Sequence, residues 1–282
     1  MKKIILMVLM LFFVGCENKK DINIAANEWI GYAPIFYANE MGWLKKEHFR
    51  LIRTVSLGES LDLFKNGLVN SFAATQYEYN QVKNRVKPII LLDRSYGGDV
   101  IVSNKSLDEL KKSKKIDVYL EMDSVNFLLF KYFAKKYNFP MSKFNFFNMD
   151  QQEISQKIFK NSRPVIVVTY SPYDVIYLKK GFREIASSKD KELLIIDALF
   201  IDDECKLKRF HKLKRYIDLA IEIIKNNPKK AYEVLKNYYP NMSFDDFKRG
   251  LEKIKWVNHP KKELLDELKK IDFDTGNLVY ED

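Results

Sequence analysis

The feature that most constrains the fold is a strand, a tight turn and a helix in direct succession near the start of the chain. Residues 22–25 alternate in polarity and predict a strand. Pro34 is tolerated in a first helical turn and opens a helix that Gly42 ends. Trp29 and Tyr32 lie in the turn, beside a helix N-terminus whose free N–H groups bind polar or anionic groups. Both aromatic side chains are therefore candidates for ligand contact, with burial in the core as the alternative.

Strand and helix patterns continue to alternate along the chain. Further strands are predicted at residues 49–55, 68–74, 88–92, 116–120, 144–149, 164–169 and 193–200. Helical patterns separate most of them, and the region from Lys206 onward is predicted to be helical, with breaks at Pro228 and Pro240. This alternation predicts an α/β fold with mainly parallel sheets. The 282 residues suffice for one or two domains with a sizeable core.

The charge balance is basic but does not indicate a nucleic-acid partner. The chain has 48 Lys and Arg residues against 38 Asp and Glu residues, a net charge of +10. Most of the excess is lysine spread over predicted helices, which is typical of a solvated surface. None of the common DNA- or RNA-binding motifs is found in the sequence.

Residues 1–16 are predicted to be a targeting segment. Two lysines precede an apolar stretch over residues 4–14, which is far shorter than the ~20 residues of a membrane-spanning helix. The letters FVGC ending at Cys16 resemble a bacterial lipobox, in which a peptidase cuts before the cysteine and its thiol is acylated. Residues 17–21 would then be a polar tether. We expect an exported protein anchored by lipid on Cys16; an ordinary signal peptide with a chance cysteine is the alternative.

Cysteine usage excludes two kinds of site. Once Cys16 is acylated, Cys205 is the only cysteine left, so no intramolecular disulfide can form. No cluster of cysteine and histidine indicates a metal site. Cys205 has no base nearby in sequence and is predicted to be an incidental thiol. The sequence predicts no metal and no cofactor.

Three motifs carry a resemblance to a known family. The segment around Trp29 matches the pattern W-x-G-Y-x-P-L-x-x-A-x-E-x-G-x-F through Trp29, Gly31, Tyr32, Pro34, Ala38, Glu40 and Gly42. Residues 93–101 resemble the pattern D-x-S-x-G-A-D-x-I, with Gly98 in place of Ala, and residues 169–172 resemble T-Y-x-P. The chain thus resembles the periplasmic substrate-binding proteins of ABC transporters for nitrate, sulfonates, taurine and thiamine-pyrimidine precursors, as far as about Glu204.

The resemblance implies a two-lobed, type II periplasmic-binding-protein fold. One discontinuous lobe would contain residues 22–100 and 198–282, and the other residues 101–197. Two crossing segments would join them, with the ligand in a cleft outside the carboxyl ends of strands.

The resemblance also implies a set of ligand-binding residues. Carried over onto this sequence, they are Trp29, Tyr32, Gly58, Glu59, Thr75, Asp93, Ser95, Asp99, Glu121, Ser124, Tyr170 and Asp197. Several have other interpretations. Ser124 is equally a helix cap, as are the serines flanking Gly58. Asp93 and Asp99 could be an acid–base pair, although no further catalytic group accompanies them. Asp197 interrupts an apolar run, so it lies either at the cleft or hinge, or on a surface edge.

The candidate cleft is aromatic and acidic, and Arg94 is the only basic residue at a predicted strand end. This suits a heteroaromatic amine or a zwitterion better than a simple oxyanion. The resemblance implies a monomeric, non-enzymatic binding lipoprotein that delivers a small molecule to an ABC permease and its ATPase. A sensory lipoprotein that presents ligand to a membrane receptor is the alternative. A third hypothesis, an enzyme of thiamine-pyrimidine synthesis that consumes pyridoxal phosphate, needs a Cys-rich segment that Cys205 alone does not supply.

Overall fold

The computed structural model describes residues 21–160, 162–190, 192–202 and 209–280. The predicted targeting segment with Cys16, and Cys205 near the start of the C-terminal region, lie outside the described residues.

The described strands form two sheets. The first sheet contains β1 (Ile22–Ala26), β2 (Phe49–Arg53), β3 (Ser71–Thr75), β4 (Val86–Ser95), β10 (Ile196–Asp202) and β11 (Ile254–Trp256), in the order β11-β4-β10-β3-β1-β2. The second contains β5 (Asp99–Ser103), β6 (Ile116–Leu120), β7 (Phe144–Asn148), β8 (Val165–Tyr170) and β9 (Arg183–Ser187), in the order β7-β6-β8-β5-β9. Each sheet is the centre of one lobe of an α/β fold.

Helices flank both sheets. In the first lobe they are α1 (Ala33–Glu40), α2 (Trp43–Lys46), α3 (Leu57–Lys65), α4 (Gln76–Val82), α9 (Phe210–Asn226), α10 (Pro228–Leu235), α11 (Phe244–Leu251) and α12 (Lys262–Lys270). In the second lobe they are α5 (Leu107–Lys112), α6 (Val125–Lys136), α7 (Gln151–Ser155) and α8 (Asp174–Lys179). None of the helices within the described ranges is long and apolar enough to cross a membrane.

Side-chain caps explain where many of these helices begin. Ser56, one of the two serines predicted as caps, starts α3 by accepting a hydrogen bond from the backbone N–H of Glu59. Ser124 starts α6 in the same way through the N–H of Asn126. Short polar side chains thus set the first residue of a helix, whereas apolar periodicity gives only its approximate position.

The sheets are mixed, although the sequence predicted mainly parallel ones. β1 pairs in parallel with β2 and β3, and β6 pairs in parallel with β7 and β8. β10 is antiparallel to both β3 and β4, and β5 is antiparallel to both β8 and β9. β5 and β10 are the strands that follow the two crossings between lobes. Each enters its sheet from the interlobe edge and therefore runs opposite to the strands of that lobe's strand–helix units.

The two crossing segments are tied to each other. The first joins β4 to β5 through residues 96–98, where Gly97 adopts a φ of +97°. The second joins β9 to β10. The Ser95 and Ser188 hydroxyls lie 2.6 Å apart, and Ser188 Oγ also accepts from the N–H of Gly97 at 2.8 Å. These bonds hold the two segments side by side at the junction of the lobes.

Candidate functional site

Polar side chains from both sheets converge where the two lobes face each other. Thr75 and Tyr170 are the last residues of β3 and β8, and Asn27 directly follows β1. Asp197 is near the start of β10, which is antiparallel, so it lies at the same edge. Strand ends at such an edge are where open α/β sheets bind ligands.

These residues enclose a small cavity, here called the inner cavity. It is lined by Asn27, Trp29, Tyr32, Leu57, Thr75, Asp99, Val125, Tyr170 and Asp197. Its volume is about 10 Å³, which is room for about one water molecule. Six of the twelve predicted binding residues line it: Trp29, Tyr32, Thr75, Asp99, Tyr170 and Asp197.

Trp29 is fixed over Asp93 at one wall of the inner cavity. Its indole Nε1 lies 3.3 Å from both carboxyl oxygens of Asp93. Two glycines make this contact possible. A Cβ on Gly31 would lie 1.9 Å from Asp93 Oδ2, and a Cβ on Gly98 would lie 2.3 Å from Trp29 Cη2. Trp29 also packs edge-to-face against Tyr170, with ring centroids 6.0 Å apart. Two of the three aromatic rings of the predicted site, Trp29 and Tyr170, therefore meet across the lobes.

Asp197 lies between two other polar residues in the first sheet. Cross-strand register places Asp197 opposite Thr75 on β3 and opposite Asp93 on β4. The hydroxyl of Tyr32 donates to Asp197 Oδ1 at 2.6 Å, which partners the buried carboxyl. Asp197 is thus at the cleft, and the alternative of an exposed sheet edge is wrong.

Burial raises the pKa of four of the predicted carboxyl groups in this region. Loss of hydration is the largest cause for each of Asp93, Asp99, Glu121 and Asp197. The pKa of Asp99 rises to about 7 and that of Glu121 to about 8. Repulsion from neighbouring carboxylates adds to the effect, and for Asp197 the largest such contribution comes from Asp93. The interlobe region therefore contains several buried carboxyl groups, and no basic side chain in the described ranges lines the inner cavity beside them.

A second space, here called the outer groove, lies near the inner cavity, since Leu57 and Val125 of the cavity are sequence neighbours of groove residues. It has a volume of about 440 Å³ and is lined by Ser56, Gly58, Glu59, Asp62, Leu63, Asn66, Glu121, Asp123, Ser124, Asn148, Met149 and Asp150. Four further predicted residues, namely Gly58, Glu59, Glu121 and Ser124, thus line the groove and not the inner cavity. Glu121 is buried there, and its Oε2 has no hydrogen-bond partner in the described part of the chain.

Neither space has a positively charged wall. Among the described residues, no lysine, arginine or histidine lines the inner cavity or the outer groove. The described residues also contain no group of three histidine, cysteine or acidic side chains arranged to hold a metal ion. The described lining of both spaces thus contains acidic but no basic side chains.

Two predicted residues do not line either space. Asp93 lies behind Trp29 and contacts its indole nitrogen. Ser95 faces the crossing segments, where its hydroxyl also accepts from the N–H of Asp99 at 3.1 Å. The segment that resembles D-x-S-x-G-A-D-x-I therefore contributes one cavity residue, Asp99, together with the turn that positions it.

Polar contacts between the lobes close the site. The Asn27 side-chain amide donates to the Tyr170 hydroxyl at 2.9 Å. The carboxyl of Glu78 accepts from the backbone N–H of Val125 at 3.0 Å. Asn27 and Glu78 were not among the predicted residues. Asn27 could have been found as the polar residue that follows a buried strand, and Glu78 as the fourth residue of a T-x-x-E capping box.

No family model and no curated protein matches the chain. Solved structures do match it. The alkanesulfonate-binding protein of Xanthomonas axonopodis pv. citri, bound to MOPS, is 9% identical to this chain. The match has a TM-score of 0.73 and covers 89% of this chain and 90% of that one. A ligand-binding component of an ABC-type import system from Staphylococcus aureus, with zinc bound, is 12% identical with a TM-score of 0.70, over 93% and 97%.

A third match comes from a eukaryote. A Candida albicans gene product, described as exhibiting the generic periplasmic binding protein structural fold, is 12% identical with a TM-score of 0.63, over 84% of this chain and 82% of that one. At these identities the matches establish the fold alone. They confirm that this chain has the two-lobed α/β fold of the periplasmic binding proteins.

Proposed function

We propose that the protein is a solute-binding protein that captures a small molecule between its two lobes, with residues 22–100 and 198–282 in one lobe and 101–197 in the other. One observation carries this proposal: Trp29, Tyr32 and Asp197, which belong to the lobe of the first sheet, and Asp99 and Tyr170, in strands of the second sheet, line a single cavity. Asp99 and Asp197 lie directly beside the two crossings, and each belongs by its sheet to the lobe opposite to the one that the sequence-based bounds give it. A site divided in this way responds to ligand by closure, since a ligand that contacts both lobes stabilises the closed form.

The lobes must separate for a ligand to enter. Small-molecule sites have volumes of about 300–1,000 Å³, whereas the inner cavity has about 10 Å³. The ligand would therefore bind to an open form and displace contacts such as the bond between Asn27 and Tyr170. When the lobes then close onto the ligand, the contacts between them that the ligand does not replace would form again.

The charges and rings of the site favour an amino-bearing ligand, either a heteroaromatic amine or a zwitterion. Asp99 and Glu121 are buried acids with raised pKa and no basic neighbour in the described lining. A cationic or donor group placed between them would recover the electrostatic and hydrogen-bond energy that burial costs. The rings of Trp29 and Tyr170 add faces on which a planar or cationic group can pack.

The partners and location follow from the sequence motifs. The lipobox-like segment supports export and attachment of lipid to Cys16, and the fold supports delivery of the captured solute to an ABC permease and its ATPase. A sensory lipoprotein that presents its ligand to a membrane receptor uses the same site and remains the second candidate. Genes for a permease and an ATPase next to this one would favour transport, and a gene for a sensor kinase or cyclase would favour sensing.

Calorimetric titration tests the ligand class. We expect an aminomethylpyrimidine or taurine to bind at least tenfold more tightly than nitrate, sulfate or an alkanesulfonate, a difference of about 1.4 kcal/mol. Asp99→Asn should reduce this preference, whereas Asp266→Asn, on the exposed surface of α12, removes the same charge and should not. Tightest binding of nitrate or of the amine-free sulfonate would refute the charge argument. Native mass spectrometry of protein purified from its own host identifies the ligand directly.

A further inference from the structure

The N-terminus of α6 faces the first lobe, and its backbone N–H groups already have acceptors within the protein. The N–H of Asn126 donates to Ser124 Oγ at 3.2 Å, and that of Phe127 donates to the carbonyl oxygen of Ser124 at 3.1 Å. The N–H of Val125 donates to Glu78 Oε1 at 3.0 Å. The first three N–H groups of this helix, which are normally free to bind an anion, are therefore all occupied.

The acceptor for Val125 comes from the other lobe and is held firmly there. Glu78 belongs to α4 in the first lobe, and its Oε2 accepts from the backbone N–H of Thr75 at 3.0 Å and from the Thr75 hydroxyl at 2.5 Å. The side chain is fully buried. One carboxyl oxygen is thus fixed within its own lobe, and the other reaches the helix of the opposite lobe.

This arrangement places an internal carboxyl group where an oxyanion ligand would bind. The positive end of a helix dipole and free N–H groups attract sulfonates, nitrates and carboxylates. With Glu78 in place, such a ligand finds no free donor among the first three N–H groups of α6. It also meets the acidic walls formed by Asp99 and Glu121. Glu78 would have to leave before an oxyanion could take its position.

We propose that Glu78 determines ligand specificity by occupying the N-terminus of α6 when the lobes close, which excludes oxyanions and leaves the site to ligands with a positive or donor group. The specificity rests on the proposed binding function, but the bond between the lobes does not. Exclusion requires only that the carboxyl group accept the N–H of Val125, and both its ionised and its protonated forms have an oxygen that can do so.

The same bond stabilises the closed form without ligand. A hydrogen bond to a buried acceptor contributes net stability, and leaving a buried partner unsatisfied costs free energy as well. Loss of the Glu78 side chain should therefore shift the unliganded protein toward the open form. Glu109 offers a matched control, because its carboxyl also accepts from the N–H and the hydroxyl of a capping residue, those of Ser106 at 2.8 and 2.7 Å, but does so within the second lobe and on an exposed surface.

The test compares Glu78→Ala, Glu78→Gln and Glu109→Ala with the unmodified protein. We expect Glu78→Ala to bind methanesulfonate at least tenfold more tightly than the unmodified protein by calorimetric titration, because the N–H of Val125 becomes free. Glu78→Gln keeps an amide oxygen for that N–H, so its gain should be smaller, and Glu109→Ala should show none. Small-angle X-ray scattering without ligand should give a larger radius of gyration for Glu78→Ala than for Glu109→Ala.

Val125→Pro removes the donor of the same bond, on the opposite lobe. It replaces Glu78→Ala in the test if that variant does not fold. Proline is tolerated at the first position of a helix, and it removes the N–H that Glu78 accepts from. We expect this variant to open in scattering without gaining methanesulfonate affinity, because the donor is lost.

Two results would overturn the inference. One is folded Glu78→Ala, or Val125→Pro in its place, with the same radius of gyration as the unmodified protein. The other is a methanesulfonate affinity that does not change in Glu78→Ala, or that rises equally in Glu109→Ala. Because the scattering measurement uses no ligand, it distinguishes failure of this inference from failure of the proposed binding function.

Discussion

The buried carboxyl groups predict that the protein loses stability as the pH rises from 5 to 8. The folded state holds the pKa of Asp99 at about 7 and that of Glu121 at about 8, both far above their ordinary values of 3.8 and 4.5. Between the ordinary and the raised values, the unfolded chain has released these protons and the folded protein still binds them. Raising the pH therefore favours the unfolded state until the folded groups have ionised as well.

The size of the effect follows from the width of that interval. Each group changes the free energy of unfolding by at most about 1.4 kcal/mol per pH unit. The interval from pH 5 to the pKa in the folded state is about 2 pH units for Asp99 and about 3 for Glu121. These intervals correspond to about 3 and about 4 kcal/mol. Opening of the lobes would hydrate both groups and limit the loss. We therefore expect the free energy of unfolding to fall by about 2–4 kcal/mol between pH 5 and pH 8.

Urea unfolding at pH 5, 6, 7 and 8 measures this change. Glu121→Gln should flatten the pH dependence, since it removes one of the buried carboxyl groups with a raised pKa while keeping the shape of the side chain. Asp62→Asn, which removes an exposed carboxylate from the same groove, should leave the slope unchanged. The pKa of Asp246 is lowered to about 2, so its contribution is lost only as the pH falls below about 4, outside this window.

The reasoning would be refuted by a free energy of unfolding that stays constant or increases from pH 5 to pH 8. It would also be refuted if Glu121→Gln had the same slope as the unmodified protein, because hydration of the closed site would then be enough to keep Glu121 ionised. A slope altered equally by Asp62→Asn would show that net charge, and not burial, governs the effect.

Four further substitutions make predictions for single positions. Cys16→Ser should abolish palmitate labelling and release an unacylated exported protein, and labelling at the unmodified level would contradict lipid attachment. Gly98→Ala should displace the indole of Trp29, whose Cη2 would lie 2.3 Å from the new Cβ, and lower the free energy of unfolding by about 1–3 kcal/mol. Gly58→Ala, whose Cβ would meet Ser56 Oγ at 3.8 Å, should be neutral or stabilising in the same urea titration. Tyr170→Phe removes the hydroxyl between the lobes and should enlarge the unliganded particle in scattering, whereas an unchanged radius of gyration would show that this bond does not hold the lobes together.

Local signals in the sequence predicted most of the elements. Apolar runs located strands such as β6 and β8, and serine caps located the starts of α3 and α6. Elements without a strong local signal were missed. β11 has only three residues and depends on pairing with β4, and α4 follows β3 so directly that its start is marked only by the Thr75 capping box.

The candidate site could be predicted only in part. The turn motif pointed to Trp29 and Tyr32, and the family resemblance pointed to Thr75 and Tyr170, because both kinds of signal depend on neighbours in sequence. Glu78 is recognised as a helix-capping residue from the sequence, but its second role depends on Val125, 47 positions away in the other lobe. A capping motif carries no information about which distant group its free oxygen will reach.

The sequence by itself determined the α/β class, the strand–turn–helix unit and the acidic, aromatic character of the candidate residues, since these follow from short-range periodicity and composition. Only the tertiary structure decided that the sheets are mixed, that Asp197 lies beside Thr75 and Asp93, and that the lobes close onto a cavity of about 10 Å³. Those properties arise from strand register and from contacts between segments far apart in the chain. The physical reason is that burial, and with it the pKa of a carboxyl group, is set by all of its surroundings in space and not by its neighbours in sequence.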